Sequence, residues 1–121
     1  MNFTLGFSPC PNDTFIFDAL VNKRINTGDF HFNVRLEDVE TLNNLAKNEV
    51  LDFTKISYGV LPIIAKKYIV LNSGGALGKG VGPLLISQKP VDFNDVEKYS
   101  IAIPGENTTA HLLFSLAFPN A

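Results

Sequence analysis

Phe30, Phe32, Val34 and Leu36 alternate strictly with His31, Asn33, Arg35 and Glu37, the period-two signature of a β-strand with one buried face. A shorter strand, Phe3 to Phe7, is stopped by Ser8-Pro9-Cys10-Pro11, where two prolines remove backbone donors and push their predecessors out of helical geometry. Asn12 or Asp13 then starts a helix with Phe15, Ile16, Ala19 and Leu20 at helical spacing and basic Lys23 and Arg24 toward its end. Asp38 caps a second helix, whose apolar stripe is Val39, Leu42, Leu45 and Ala46. Asp52 to Ser57 reads as a strand, Tyr58 to Lys67 as a helix with Pro62 in its first turn, and Tyr68 to Leu71 as a strand again.

A glycine-rich stretch, Asn72 to Pro83, forms a loop, and Leu84 to Ser87 after it has strand character. Val91 to Tyr99 is polar and reads as a connector or short helix. Ser100 to Ile103 is a further strand, Pro104 to Asn107 a turn, and Thr108-Thr109 open a helix carrying Ala110, Leu112, Leu113, Leu116 and Ala117.

Strands separated by helices of about ten residues imply βαβ units, hence an α/β fold with a mostly parallel sheet and right-handed crossovers. Ligands of such sheets collect at the carboxyl ends of the strands. Here those ends are Ser8 to Asn12, Glu37-Asp38, Lys55-Ile56-Ser57 and Pro104 to Thr109. The last strand and helix have no partners of their own, so the chain is expected to comprise a first α/β lobe, residues 1–97, and the truncated beginning of a second, residues 98–121. A half-built second lobe would expose the apolar face of its helix, and a homodimer is one way to cover it.

Composition narrows the function classes. Ten Lys and Arg against twelve Asp and Glu leave a net charge of -2, which gives no general attraction to nucleic acid. No run of about eighteen apolar residues offers a membrane span, and the N-terminus lacks a basic, apolar signal pattern. One cysteine and two histidines lack the density of a structural zinc site, and a single cysteine forms no internal disulfide. Together these features predict a cytoplasmic protein with no membrane, nucleic-acid or metal partner, and the helix starts described below point to an anionic small molecule as its ligand.

The glycine-rich stretch is not a phosphate loop. Three residues separate Gly74 from Gly78-Lys79 where the Walker motif needs four, and Gly80 stands in place of Ser or Thr. A strand follows these glycines, whereas the dinucleotide fingerprint requires a helix there. Cys10 at a helix start has the position of an activated thiol, but neither histidine is near in sequence, and a buried or pocket-wall thiol is the simpler role. His31 is expected to face solvent, and His111 to serve structure. Two helix starts carry more weight, because free amides and nearby hydroxyls bind carboxylate or phosphate. They are Lys55-Ile56-Ser57, where Lys55 adds positive charge, and Thr108-Thr109-Ala110; the same side chains also suit plain helix capping.

The run Gly6-Phe7-Ser8-Pro9-Cys10-Pro11-Asn12-Asp13-Thr14-Phe15 resembles the N-terminal motif of the 1,4-dihydroxy-6-naphthoate synthases of the futalosine route to menaquinone. The resemblance continues through Leu36 to Asn43, Thr54 to Tyr58, Ser73 to Pro83 and Pro104 to Ala110. It implies a two-lobed fold like a type II periplasmic binding protein, with the ligand between the lobes. It also implies a lyase reaction that converts cyclic dehypoxanthinylfutalosine into 1,4-dihydroxy-6-naphthoate and releases dihydroxyacetone, without metal or organic cofactor. Carried over residue by residue, Lys55, Ile56 and Ser57 contact the substrate from the first lobe, and Thr109 and Ala110 from the second. The family's proton-accepting histidine lies in a motif downstream of these residues and is not His111, so no catalytic base is assigned here and the isolated chain is expected to be inactive. Two alternatives stay open: a solute-binding or ligand-sensing module on the same scaffold, and the related chorismate-acting enzyme of the same pathway.

Overall fold

Strands and helices alternate along the computed structural model, which describes residues 1–121. β1 (Asn2–Phe7) pairs in parallel with β2 (His31–Leu36) on one side and β3 (Phe53–Thr54) on the other, giving the sheet order β2-β1-β3. α1 (Pro11–Val21) carries the chain from β1 to β2, and α2 (Val39–Lys47) carries it from β2 past β1 to β3. The two crossovers run in opposite directions along the sheet, so right-handed connections set their helices on opposite faces and leave a switch point at the carboxyl end of β1.

Side-chain contacts follow from that arrangement. The register Phe3↔Phe32, Leu5↔Val34 and Phe7↔Leu36 puts these residues on one face, where the Phe7 ring lies 4.7 Å from that of Phe17 on α1. Phe3 closes the far end of this face against Phe32 and Phe53, with ring centroids 6.0 and 5.3 Å away. On the opposite face α2 comes down directly on Gly6. A Cβ there would lie 2.5 Å from Leu51 Cδ1 and 2.8 Å from Leu42 Cδ2, so only glycine lets the helix pack this closely. Leu42 and Ala46 are fully buried as a result, and Ala46 joins Val60 and Ile64 in a core with Ile56, Leu61 and Tyr68 packed around it.

Several local expectations change. α1 begins at Pro11, one residue before the expected start, because a proline at the first helical position gives up only an N–H that has no intrahelical acceptor. Its inward aromatic residue is Phe17, whereas Phe15 is 85% exposed. Along β2 the alternating face is only half covered, with Val34 37% and Leu36 52% exposed, because β2 is an edge strand and α1 places Phe17 on Phe7 of the central β1. α3 (Leu61–Ile64) is a single turn within the expected Tyr58 to Lys67 helix. The apolar segments Tyr68 to Leu71, Leu84 to Ser87 and Ser100 to Ile103 are not strands: the sheet has no further strand for their backbones to pair with, and Ile69, Leu84 and Ile86 stand in solvent.

The connector expected over residues 91–99 contains a 3₁₀ helix, Phe93–Lys98, capped by Asp92. Phe93 and Phe114 pack against Phe118 with ring centroids 4.9 and 5.1 Å away, forming a small second cluster. α4 (Thr109–Ala117) contributes Phe114 to this cluster and has no buried residue, leaving Leu112, Leu113 and Leu116 exposed. No helix is long and apolar enough to cross a membrane.

Candidate functional site

The ends of all three strands open into one cavity of about 640 Å³, lined by Ser8, Pro9, Cys10 and Asp13 after β1, Asp38 and Val39 after β2, and Lys55 and Ile56 after β3. It lies at the switch point of the sheet, where the topology places ligands.

Asp13 is the organising charge of its wall. It occupies the third position of α1, where free amides and the helix dipole favour a carboxylate, and it is 6% exposed. The Ser8 backbone N–H and hydroxyl donate to it at 3.1 and 2.8 Å, and Lys55 Nζ approaches to 3.5 Å. Cys10 Sγ lies 2.8 Å from Ser8 Oγ; since the hydroxyl proton serves the carboxylate, the thiol is the donor in that contact. Cys10 is therefore a pocket-wall thiol, but an exposed one.

Lys55 gives one N–H to Gly74 O at 2.9 Å and points a second toward Asp13, which leaves its third donor for the cavity. The glycine-rich loop thus bears directly on the site. Asp13 and Asp38 outnumber Lys55 on the cavity wall, so Lys55 offers a directed hydrogen bond and not an excess of positive charge. Asp38 caps α2, accepting from Glu40 N and Thr41 N at 3.0 Å, and the Thr41 hydroxyl above all holds its carboxyl below the ordinary value.

The second expected segment is brought alongside the first. Gly59 N donates to Thr109 Oγ1 at 3.1 Å, and a Cβ on Gly59 would lie 2.8 Å from Thr108 O, so the two backbones meet with no space between them. Thr108 caps α4, accepting from His111 N at 3.2 Å, while its hydroxyl donates to Gly105 O at 2.7 Å. His111 Nδ1 lies 2.9 Å from Glu106 O; a carbonyl only accepts, so Nδ1 carries the proton and this histidine serves the loop, as expected. His31 is exposed on β2.

Of the residues read as substrate contacts, Lys55 and Ile56 line the strand-end cavity, whereas Ser57, Thr109 and Ala110 are half-buried and are not part of its lining. Ser57 is not a helix cap, since Val60 holds that position for α3. Sequence reasoning missed Asp13, Asn43 and Asn107. Asn43 is fully buried and bonds both Ser57 and Asn107, and Asn107 N donates to the Glu40 carboxylate at 3.2 and 3.3 Å while Lys47 Nζ donates to Asn107 Oδ1 at 3.2 Å. The available signal was an amide at the i+4 position of the stripe begun by Val39, where the helical pattern calls for an apolar residue. No group of three or more His, Cys, Asp or Glu side chains is arranged to hold a metal ion.

A parallel α/β sheet with its cavity at the strand ends, built from these motifs, places the chain in a family: it matches the menaquinone biosynthesis family over residues 3–121 and belongs to it. It is 49% identical over 112 residues to a 1,4-dihydroxy-6-naphthoate synthase of Thermus thermophilus, covering 93% of this chain and 40% of that protein. A protein of the same name from Streptomyces coelicolor is 41% identical over 112 residues, covering 93% and 39%. The chain thus spans about two fifths of the length of these curated relatives. The crystal structure of an Archaeoglobus fulgidus protein superposes with a TM-score of 0.91 at 30% identity, over 98% of this chain and 44% of that one.

Proposed function

We propose that these residues form the first α/β lobe, 1–97, and the beginning of the second, 98–121, of a two-lobed enzyme with a type II periplasmic-binding-protein-like fold. It converts cyclic dehypoxanthinylfutalosine into 1,4-dihydroxy-6-naphthoate and releases dihydroxyacetone, a lyase reaction. The name borne by the Thermus and Streptomyces relatives supports the reaction. The observation that carries the site is the juxtaposition of Lys55-Ile56-Ser57 with Thr109-Ala110 through the Gly59 to Thr109 hydrogen bond.

In this reading Ser57 and Thr109 orient the substrate and stabilise charge developing on its oxygens, Lys55 supplies its free N–H, and Ile56 and Ala110 provide apolar contact. None of them is assigned the proton-abstracting step; the resemblance gives that step to a histidine of a downstream family motif, and the isolated chain is expected to be inactive. The test is to incubate the full-length gene product with cyclic dehypoxanthinylfutalosine and follow products by liquid chromatography with mass detection. The expected result is 1,4-dihydroxy-6-naphthoate; its absence with a folded protein contradicts the reading.

A further inference from the structure

Asn43 is the most completely buried polar side chain of the chain, at 0% exposure, and every one of its hydrogen bonds runs toward the two candidate substrate segments or the residue that braces them. Its Oδ1 accepts from Ser57 N at 2.9 Å. Its Nδ2 faces Ser57 Oγ at 3.2 Å, Asn107 O at 3.2 Å and Glu40 Oε2 at 3.4 Å. The orientation of the amide is forced, because the Ser57 N–H can only donate and the Asn107 carbonyl can only accept. Nδ2 therefore donates to the serine hydroxyl, and the hydroxyl proton has to point away from Asn43.

We propose that Asn43 is a positioning residue: it polarises Ser57 so that the hydroxyl presents its proton outward as a hydrogen-bond donor, and it pins the 105–109 loop at a fixed offset from residues 55–59. The proposal rests on the reading that Ser57 contacts substrate. A donor already oriented needs no reorganisation when charge builds on a substrate oxygen, which is the condition for transition-state stabilisation. The structural role and the functional one separate in a single comparison. Asn43→Asp keeps the shape and the acceptor for Ser57 N–H; assayed above the pH at which this buried acid ionises beside the Glu40 carboxylate, it accepts from the serine hydroxyl and turns its proton inward.

The experiment measures kcat/KM of the full-length gene product with cyclic dehypoxanthinylfutalosine for wild type, Ser57→Ala, Asn43→Asp and the double variant. Ser57→Ala is expected to cost about 10-fold in the wild-type background and less than about twofold in the Asn43→Asp background, because the hydroxyl is already misdirected there. An equal cost of Ser57→Ala in both backgrounds makes Asn43 merely structural and overturns the proposal. A wild type without turnover overturns the functional reading and this proposal with it. If Asn43→Asp does not fold, the wild type answers by nitrogen-15 nuclear magnetic resonance with 1,4-dihydroxy-6-naphthoate as the probe. The Asn43 side-chain amide is expected to shift on saturation and to lose that shift in Ser57→Ala; a shift that persists in Ser57→Ala overturns the proposal.

Discussion

Ser8 links two groups of the cavity wall, its hydroxyl donating a hydrogen bond to the Asp13 carboxylate and accepting one from the Cys10 thiol. A hydroxyl at position 10 makes the same donation, and no step of the proposed reaction needs a thiolate. Cys10→Ser is therefore expected to keep kcat/KM within about threefold, the scale of one modest hydrogen bond, and loss of turnover in a folded Cys10→Ser protein contradicts that assignment. Two exposed carboxyls make the fold more sensitive to acid. Asp38 is held below its ordinary 3.8 chiefly by the Thr41 hydroxyl, and Asp52 below the same value chiefly by the Thr4 backbone N–H and then its hydroxyl. A carboxyl with a lowered folded value stabilises fully above its unfolded value and loses that contribution as pH falls through the folded one. The melting temperature is expected to drop as pH falls below about 4, and Thr41→Val is expected to flatten that drop; an unchanged acid limb in Thr41→Val contradicts the assignment of Asp38.

The close approach of Gly59 to Thr108 and Thr109 is where two segments far apart in sequence are held as one surface. Gly59→Ala pushes a methyl group into the Thr108 carbonyl, and the expected cost is about 1–3 kcal/mol of stability by denaturant titration, the range for overpacking; an unchanged midpoint contradicts the packing. Sequence patterns located β1, β2 and α2 through their period and an identifiable stop or cap, such as Asp38 before α2, and α1 through the Pro9 and Pro11 break that precedes it, although its inward face was misread. They also located the strand ends at which the cavity forms. They misread the segments beginning at Tyr68, Leu84 and Ser100, since apolar alternation reports what a segment can bury and not whether a neighbour exists to pair with it. Asn43 stayed invisible because periodicity scores burial of apolar residues, and a buried amide declares itself only through partners 14 and 64 positions away.

Taken as a whole, the chain lines the strand-end cavity with residues from all three strand ends and leaves apolar surface open elsewhere, notably at Ile69, Leu84, Ile86 and α4. Its core is tied to α2, which packs on Gly6 through Leu42 and bonds Ser57 and Asn107 through Asn43 and Glu40. Packing and site geometry thus share one helix. The central claim is that residues 55–57 and 109–110 act as a single binding surface. Its most direct test is a crystal structure of the full-length gene product with 1,4-dihydroxy-6-naphthoate bound. The account predicts ligand oxygens within hydrogen-bond distance of both the Ser57 and Thr109 segments, with Lys55 lining the same space. A ligand that touches neither segment, in a protein that makes this product, would contradict it.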